Sequence, residues 1–275
     1  MNSLNVGGKI IDLRDPIVMG ILNITNNSFY DGGEYLMIDK AINRVREMID
    51  EGATIIDVGA ASSKPKATII DPEIELKQLE PVIKEVYNQF PEVALSIDTY
   101  HSLIVKELSR KYSFIVNDIS SGRDPELHDI VGSLGFPYVL MHMQGNPQNM
   151  QDNPQYTNVV KDLLDFFSEK IRQIRDLGID QILIDPGFGF GKTLKHNYKL
   201  LKNMGVFRIL DCPIMVGLSR KSMIYKVLGS NPQEALNGTT ALHMQSLSSG
   251  AKVLRVHDIK AAIETITLWK QIRDA

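Results

Sequence analysis

Seven polar residues lie at or near the ends of short apolar runs. They are Asn23 in PIVMGILN, Asp98 in VALSIDT, Asn117 in SFIVND, Asp185 in QILIDP, Lys221 in PIMVGLSRK, and Arg255 and His257 in KVLRVHD. Their chemistry divides in two. Asp98, Asn117 and Asp185 offer acceptors and an amide edge, which suit a flat heterocycle carrying N–H donors. Arg255 and His257 alternate in one run and offer donors to an anion: Arg as a planar fork for phosphate oxygens, His as an imidazolium that an anion would favour. The side-chain oxygen of Asn23 suits Mg²⁺, a hard cation that prefers oxygen and shares substrate phosphates. Gathered in one pocket, these groups would hold a heterocycle bearing a phosphate-type leaving group.

The glycine-rich stretch ILIDPGFGFGKT is a false phosphate loop. Counting back from Gly191-Lys192-Thr193 puts Pro186 where a Walker loop needs its first glycine. Gly187, Gly189 and Gly191 are spaced G-x-G-x-G, which also fails the dinucleotide fingerprint. The glycines are expected to let the backbone turn tightly and approach a flat ligand, with Phe188 and Phe190 offering ring faces. Lys192-Thr193 reads as the start of the next segment. Other polar residues have structural readings. Asp258 is expected to cap the helix beginning at IKAAIETI, Asp118 to be structural, His142 to be a satisfied core histidine, and His128 and His196 to be ordinary loop or surface residues.

Positioning the seven requires a scaffold that brings strand ends together. Eight apolar runs, the six above plus TIIDVGA and YVLMHM, are short and rich in Val, Ile and Leu, as for strands buried on both faces. Between them lie segments of helical spacing, such as KAINRVREMIDEG, which puts Ala41, Ile42, Val45, Met48 and Ile49 on one side before a stop at Gly52. Eight strand–helix units in about 250 residues predict a single-domain (β/α)8 TIM barrel spanning 1–275. A barrel collects all its strand C-termini on one face, whereas a doubly wound sheet, the alternative, would scatter several of them. The opening NVGGKIIDL is expected to form a small hairpin closing the barrel bottom. A net charge of −3 gives no electrostatic footprint for nucleic acid. No apolar segment approaches the ~18 residues that cross a bilayer. The lone Cys212 reads as packing, argues for a reducing compartment and, with no basic-then-apolar start, for the cytoplasm.

At this point the blocks GILNITNNSFYDGG, DVGAASSKP, SIDT, VNDIS, VLMHMQGNPQNMQ, LIDPGFGFGKT, GLSRKSMI and LRVHDI, in order along nearly the whole chain, resemble the dihydropteroate synthase family of pterin-binding barrels. The resemblance implies an enzyme of folate biosynthesis that joins 6-hydroxymethyl-7,8-dihydropterin diphosphate to 4-aminobenzoate, giving 7,8-dihydropteroate and pyrophosphate. It implies a pterin pocket of Asp98, Asn117, Met141, Asp185 and Lys221. The diphosphate would meet Asn23 with Mg²⁺, Ser63, Arg255 and His257. The 4-aminobenzoate would meet Phe29, Lys64, Pro65, Phe190, Lys221 and Ser222. It further implies a homodimer and a sulfonamide target. Two loops depart from the common pattern: Lys64 and Lys66 stand where Arg and Gly are usual, and Asn26-Asn27 where Pro-Asp is common. Two alternatives remain open at this level: a methyltetrahydrofolate–corrinoid methyltransferase-like barrel, which has no need of a diphosphate rim, and a catalytically silent pterin-binding paralogue.

Overall fold

The computed structural model describes residues 1–24, 34–60 and 70–275. The chain opens with an antiparallel hairpin of β1 (Ser3–Val6) and β2 (Lys9–Asp12). Gly7 and Gly8 turn it with φ of +59° and +91°, values that glycine adopts without a Cβ clash. Eight strands then form the barrel: β3 (Ile17–Asn23), β4 (Ile55–Gly59), β5 (Ala94–Asp98), β6 (Ile115–Asp118), β7 (Tyr138–Met141), β8 (Ile182–Asp185), β9 (Ile214–Val216) and β10 (Ala251–Val256). All are parallel, and the order β10-β3-β4-β5-β6-β7-β8-β9 closes through pairing of β9 with β10. Helices follow the strands: α1 (Glu34–Asp50), α2 (Pro72–Gln89), α3 (Ser102–Leu108), α4 (Leu127–Leu134), α5 (Val159–Asp176), α6 (Leu194–Asn203), α7 (Ser222–Leu228), α8 (Leu236–Ser248) and α9 (Ile259–Asp274). The fold is the expected TIM barrel. Its closed sheet excludes the doubly wound alternative, which would leave two edges.

The helices form where apolar residues recur with period 3.6 and a cap starts the first turn. In α5, Asn158 accepts the Val160 N–H, and Val159, Leu163, Phe167, Ile171 and Ile174 are buried against the barrel. In α1, Ala41, Ile42, Val45 and Met48 are buried as expected and Ile49 packs partly against the same core. Each fully buried Val, Leu, Ile, Phe or Met among these contributes about 2 kcal/mol relative to exposure.

The strands explain the site. Met19, Ile55, Ala94, Ile115, Val139, Leu183, Met215 and Val253 fill the barrel interior as one apolar cluster. The hairpin's Leu4, Val6, Ile11 and Leu13 belong to that cluster, and Asn5 N–H donates to Gln181, just before β8, at 2.6 Å. The hairpin therefore closes the lower end. Strand side chains alternate between faces, so the next inward positions are Ile21, Asp57, Ser96, Asn117, Met141, Asp185, Gly217 and Arg255. One step up the barrel, the interior changes from apolar to ionic.

Two local expectations change. The run PIMVGLSRK is only partly a strand: β9 stops at Val216, and Ser219, Arg220 and Lys221 make the turn into α7. Arg220 holds that turn with φ +55°, donating through Nε and Nη2 to the two Asp258 oxygens at 2.7 and 2.8 Å. Asp258 therefore makes no side-chain cap on α9; a bidentate charged fork outweighs one neutral cap bond.

Candidate active site at the barrel mouth

Asp57 and Asp98 both reach Arg255, which lies across the barrel on β10. Arg255 Nε donates to Asp57 Oδ2 and Nη2 to Asp98 Oδ2, each at 2.6 Å. Asp57 is fully buried and also accepts from Ser96 Oγ at 2.6 Å and from Asn117 Nδ2 at 3.0 Å. Asp185 and Arg255 flank Gly217: a Cβ there would lie 3.6 Å from Asp185 Oδ2 and 4.0 Å from Arg255 Cδ. The acids, the amide and the guanidinium thus share one face of the barrel. Arg255, expected with His257 as a donor to an anion, turns inward onto the acids because two buried carboxylates need a countercharge.

Burial sets the protonation of this cluster. It pushes Asp98 up, against the pull of Arg255 and with help from Asp57 and Asp118. It raises Asp185 as well, while Lys221, the Gly187 N–H and Arg255 oppose it. Burial alone would lower the Arg255 guanidinium, but Asp57 and Asp98 outweigh it and raise it. Lys221 is lowered to about 8 by burial, with Asp185 opposing and Arg255 adding to the shift. Burial thus favours the neutral forms of Asp98, Asp185 and Lys221, and N–H donors of a bound ring would draw the two acids back toward the carboxylates that accept them.

The glycine turn after β8 forms one wall. Gly187, Gly189 and Gly191 have φ of +65°, +83° and +57°. Their missing side chains make room for protein: a Cβ on Gly187 would sit 2.0 Å from the His142 carbonyl oxygen, and one on Gly191 2.5 Å from that of Gln144. The turn thus packs on the loop after β7, where a ligand had been expected. Phe188 lies wholly in the core, while Phe190 stays at the mouth with Lys221 Nζ 4.3 Å from its ring centre. Lys221 Nζ also donates to the Phe188 carbonyl. Lys192 is buried inside the turn, its Nζ 2.9 Å from the Gly187 and Phe190 carbonyls and 3.1 Å from His142 O and Nδ1. It is a structural clamp that sequence analysis read only as the start of a segment. Thr193 caps α6 with His196 in a reciprocal capping box, so His196 has a defined role. His142 is the satisfied core histidine expected, pushed far down by burial and by Lys192. Asp118 is structural, accepting the Tyr138 hydroxyl at 2.6 Å, and His128 Nε2 lies 2.9 Å from the same hydroxyl.

Met141 is buried against Ile119, Met150 and Phe190 on the floor of the mouth. Ser222 opens α7 and lines a shallow cleft with Gly189, Lys192, Thr193 and Lys226. At the rim, Asn23 is exposed at the end of β3. His257 is exposed just past β10, its Nδ1 3.2 Å from Ser219 Oγ. Although the residue keeps solvent contact, partial desolvation of its ring and the nearby Arg255 lower His257, so the imidazolium expected from sequence needs an added anion. Phe29, Ser63, Lys64 and Pro65 lie outside the described residues. Among the described residues no group of three or more His, Cys, Asp or Glu could hold a metal ion. Sequence analysis missed Asp57, Ser96 and Ser219. Parity would have found Asp57, two residues beyond inward-facing Ile55 just as Asp185 is two beyond Leu183.

Such a mouth can hold a flat, donor-rich ring against Asp98, Asn117 and Asp185 and an anion near His257. Residues 19–257 match the family described as pterin binding enzymes. A dihydropteroate synthase of Haemophilus influenzae is 38% identical over 274 residues, covering 99% of each chain. The chain belongs to the dihydropteroate synthases. The Yersinia pestis dihydropteroate synthase solved with a sulfonamide drug complex has a TM-score of 0.93 at 37% identity, covering 99% of this chain and 100% of its own. The Xanthomonas albilineans dihydropteroate synthase solved with 4-aminobenzoic acid has a TM-score of 0.92 at 35% identity, covering 100% and 99%. Members of this family are transferases of folate biosynthesis, and membership sets the methyltransferase alternative aside.

Proposed function

We propose that the barrel mouth joins 6-hydroxymethyl-7,8-dihydropterin diphosphate to 4-aminobenzoate, with the whole of 1–275 acting as one pterin-binding domain. The observation that carries this is the meeting of Asp57, Asp98, Asn117, Asp185 and Arg255 on one inward face, in a chain of this family. The pterin lies against Asp98, Asn117, Asp185 and Met141, with Lys221 at its edge. Its C–O bond to the diphosphate breaks first, the electron pair leaving with the diphosphate. The electron-rich ring spreads the positive charge left on the CH₂, and Asp185, bonded to ring and amino N–H groups, favours that charge. The neutral arylamine then attacks through its nitrogen lone pair, forms the C–N bond and gives a proton to solvent. It needs no strong general base.

His257, with Arg255 through the Nη1 that neither Asp57 nor Asp98 takes, binds the departing diphosphate, and Ser63 supplies a hydroxyl. Asn23 fits Mg²⁺ as a single exposed amide oxygen beside the diphosphate oxygens, since Mg²⁺ takes few protein ligands and shares substrate phosphates. Bound there, Mg²⁺ supplies positive charge against the leaving group. Phe190, Lys221 and Ser222, with Phe29, Lys64 and Pro65 from the first two loops, hold 4-aminobenzoate. We extend sulfonamide binding to this chain on the same subsite. Exposed Val227, Leu228 and Leu236 support a homodimer, and one free cysteine supports a cytoplasmic location.

Calorimetry separates the two halves of the pocket. The wild type binds a diphosphate-free pterin, and Asp185→Ala weakens it by about 30-fold or more, the worth of hydrogen bonds to a charged group. Pyrophosphate binds the wild type and loses at least about tenfold in Arg255→Ala. Pterin affinity unchanged in the first variant, or pyrophosphate affinity unchanged in the second, refutes the corresponding role.

A further inference from the structure

Asp57 stands outside every substrate role given above, yet its carboxylate bonds side chains from three other strands, Ser96 of β5, Asn117 of β6 and Arg255 of β10. It is fully buried on β4. Oδ1 accepts Ser96 Oγ at 2.6 Å, and Oδ2 accepts both Asn117 Nδ2 at 3.0 Å and Arg255 Nε at 2.6 Å. We propose that Asp57 is the positioning residue of the pterin site, fixing which end of the Asn117 amide faces substrate and keeping Arg255 from closing on Asp98 with both arms. This rests on the reaction assigned above.

The chemistry follows from what each group can donate. An ionised carboxylate only accepts, so it selects the NH₂ end of the Asn117 amide and leaves Oδ1 as the end available to a ring N–H. Arg255 straddles two carboxylates, Nε on Asp57 and Nη2 on Asp98. A pterin N–H that bonds to Asp98 competes with Nη2 for an oxygen, and the Nε bond keeps the guanidinium in place while Nη2 gives way. Without the Asp57 charge, Arg255 retains one buried carboxylate and closes on Asp98 as a bidentate fork. The same loss frees Asn117 to rotate and present its donor end. Both consequences fall on pterin binding. Phe190 and Ser222, assigned to 4-aminobenzoate, make no hydrogen bond with Asp57.

The test is steady-state pyrophosphate release by Asp57→Asn, which keeps side-chain shape and removes the charge. KM for the pterin diphosphate rises about tenfold or more, while KM for 4-aminobenzoate stays within about twofold. A merely structural loss lowers the active fraction, reducing kcat with both KM values unchanged, and that result overturns the positioning role. Wild-type constants in Asp57→Asn overturn it too. Should that variant not fold, Ser96→Ala, which removes only the hydroxyl on Oδ1, gives the same selective rise at about threefold; no rise there is contrary. If the wild type binds the pterin but releases no pyrophosphate, the reaction assignment fails by itself. Asp57 is then judged by calorimetric pterin affinity, which Asp57→Asn lowers by the same factor or the inference falls.

Discussion

Glu75, on the inward side of α2, shows what a buried acid does when no strong cation sits beside it. It is fully buried, with His101 Nε2 3.7 Å away. Burial pushes its carboxyl up to about 7, the Thr99 hydroxyl opposing and Asp98 adding to the shift. His101 is itself lowered by burial and gives little countercharge at neutral pH. The folded value lies above the unfolded one, so the folded state prefers the proton. The stability this contributes is complete below the unfolded value near 4.5 and is lost as pH rises through about 7. Glu75→Gln, which mimics the protonated form, should match the wild type near pH 4.5 and exceed it by about 3 kcal/mol near pH 8 in urea denaturation. Parallel pH profiles for the two proteins would contradict this. By contrast Arg255 serves Asp57 and Asp98, and that arrangement was only half legible in sequence. Residues closing an apolar run, such as Asp98 and Asp185, declared themselves. Asp57, Ser96 and Ser219 did not, because each falls within a run or a turn and acquires its role only from partners on other strands.

At the scale of elements, the turn after β8 depends on glycine for contact as well as for dihedral angle. Gly187 combines φ +65° with a would-be Cβ 2.0 Å from the His142 carbonyl. Gly135, at the end of α4, has φ +64° with nothing within 4 Å. Alanine at Gly135 should therefore cost only the left-handed backbone term, about 1 kcal/mol, whereas Gly187→Ala should add overpacking and cost about 3 kcal/mol or more. Chemical denaturation of the two variants decides it: equal losses would mean that the turn yields freely. The strands and helices themselves were legible from β-branched runs and 3.6-residue spacing, as in β8 and α5. The turn that follows β9 was not, because Arg220 holds it through an ion pair with Asp258, 38 positions along the chain.

For the whole molecule, barrel closure makes distant segments one site, and parity along the strands decides which side chains enter it. The interior is apolar at Ile55, Leu183 and Val253 and ionic two residues later at Asp57, Asp185 and Arg255. Closure was legible from eight strand–helix units, and the family from blocks spread over them. The contribution of Phe29, Ser63, Lys64 and Pro65 lies outside the described residues. The central claim is that this mouth takes both substrates and expels the diphosphate. Pyrophosphate release from 6-hydroxymethyl-7,8-dihydropterin diphosphate, followed with and without 4-aminobenzoate, tests it directly. Sustained release only when both are present is the predicted result; release indifferent to the arylamine, or none from a protein that binds both, would contradict it.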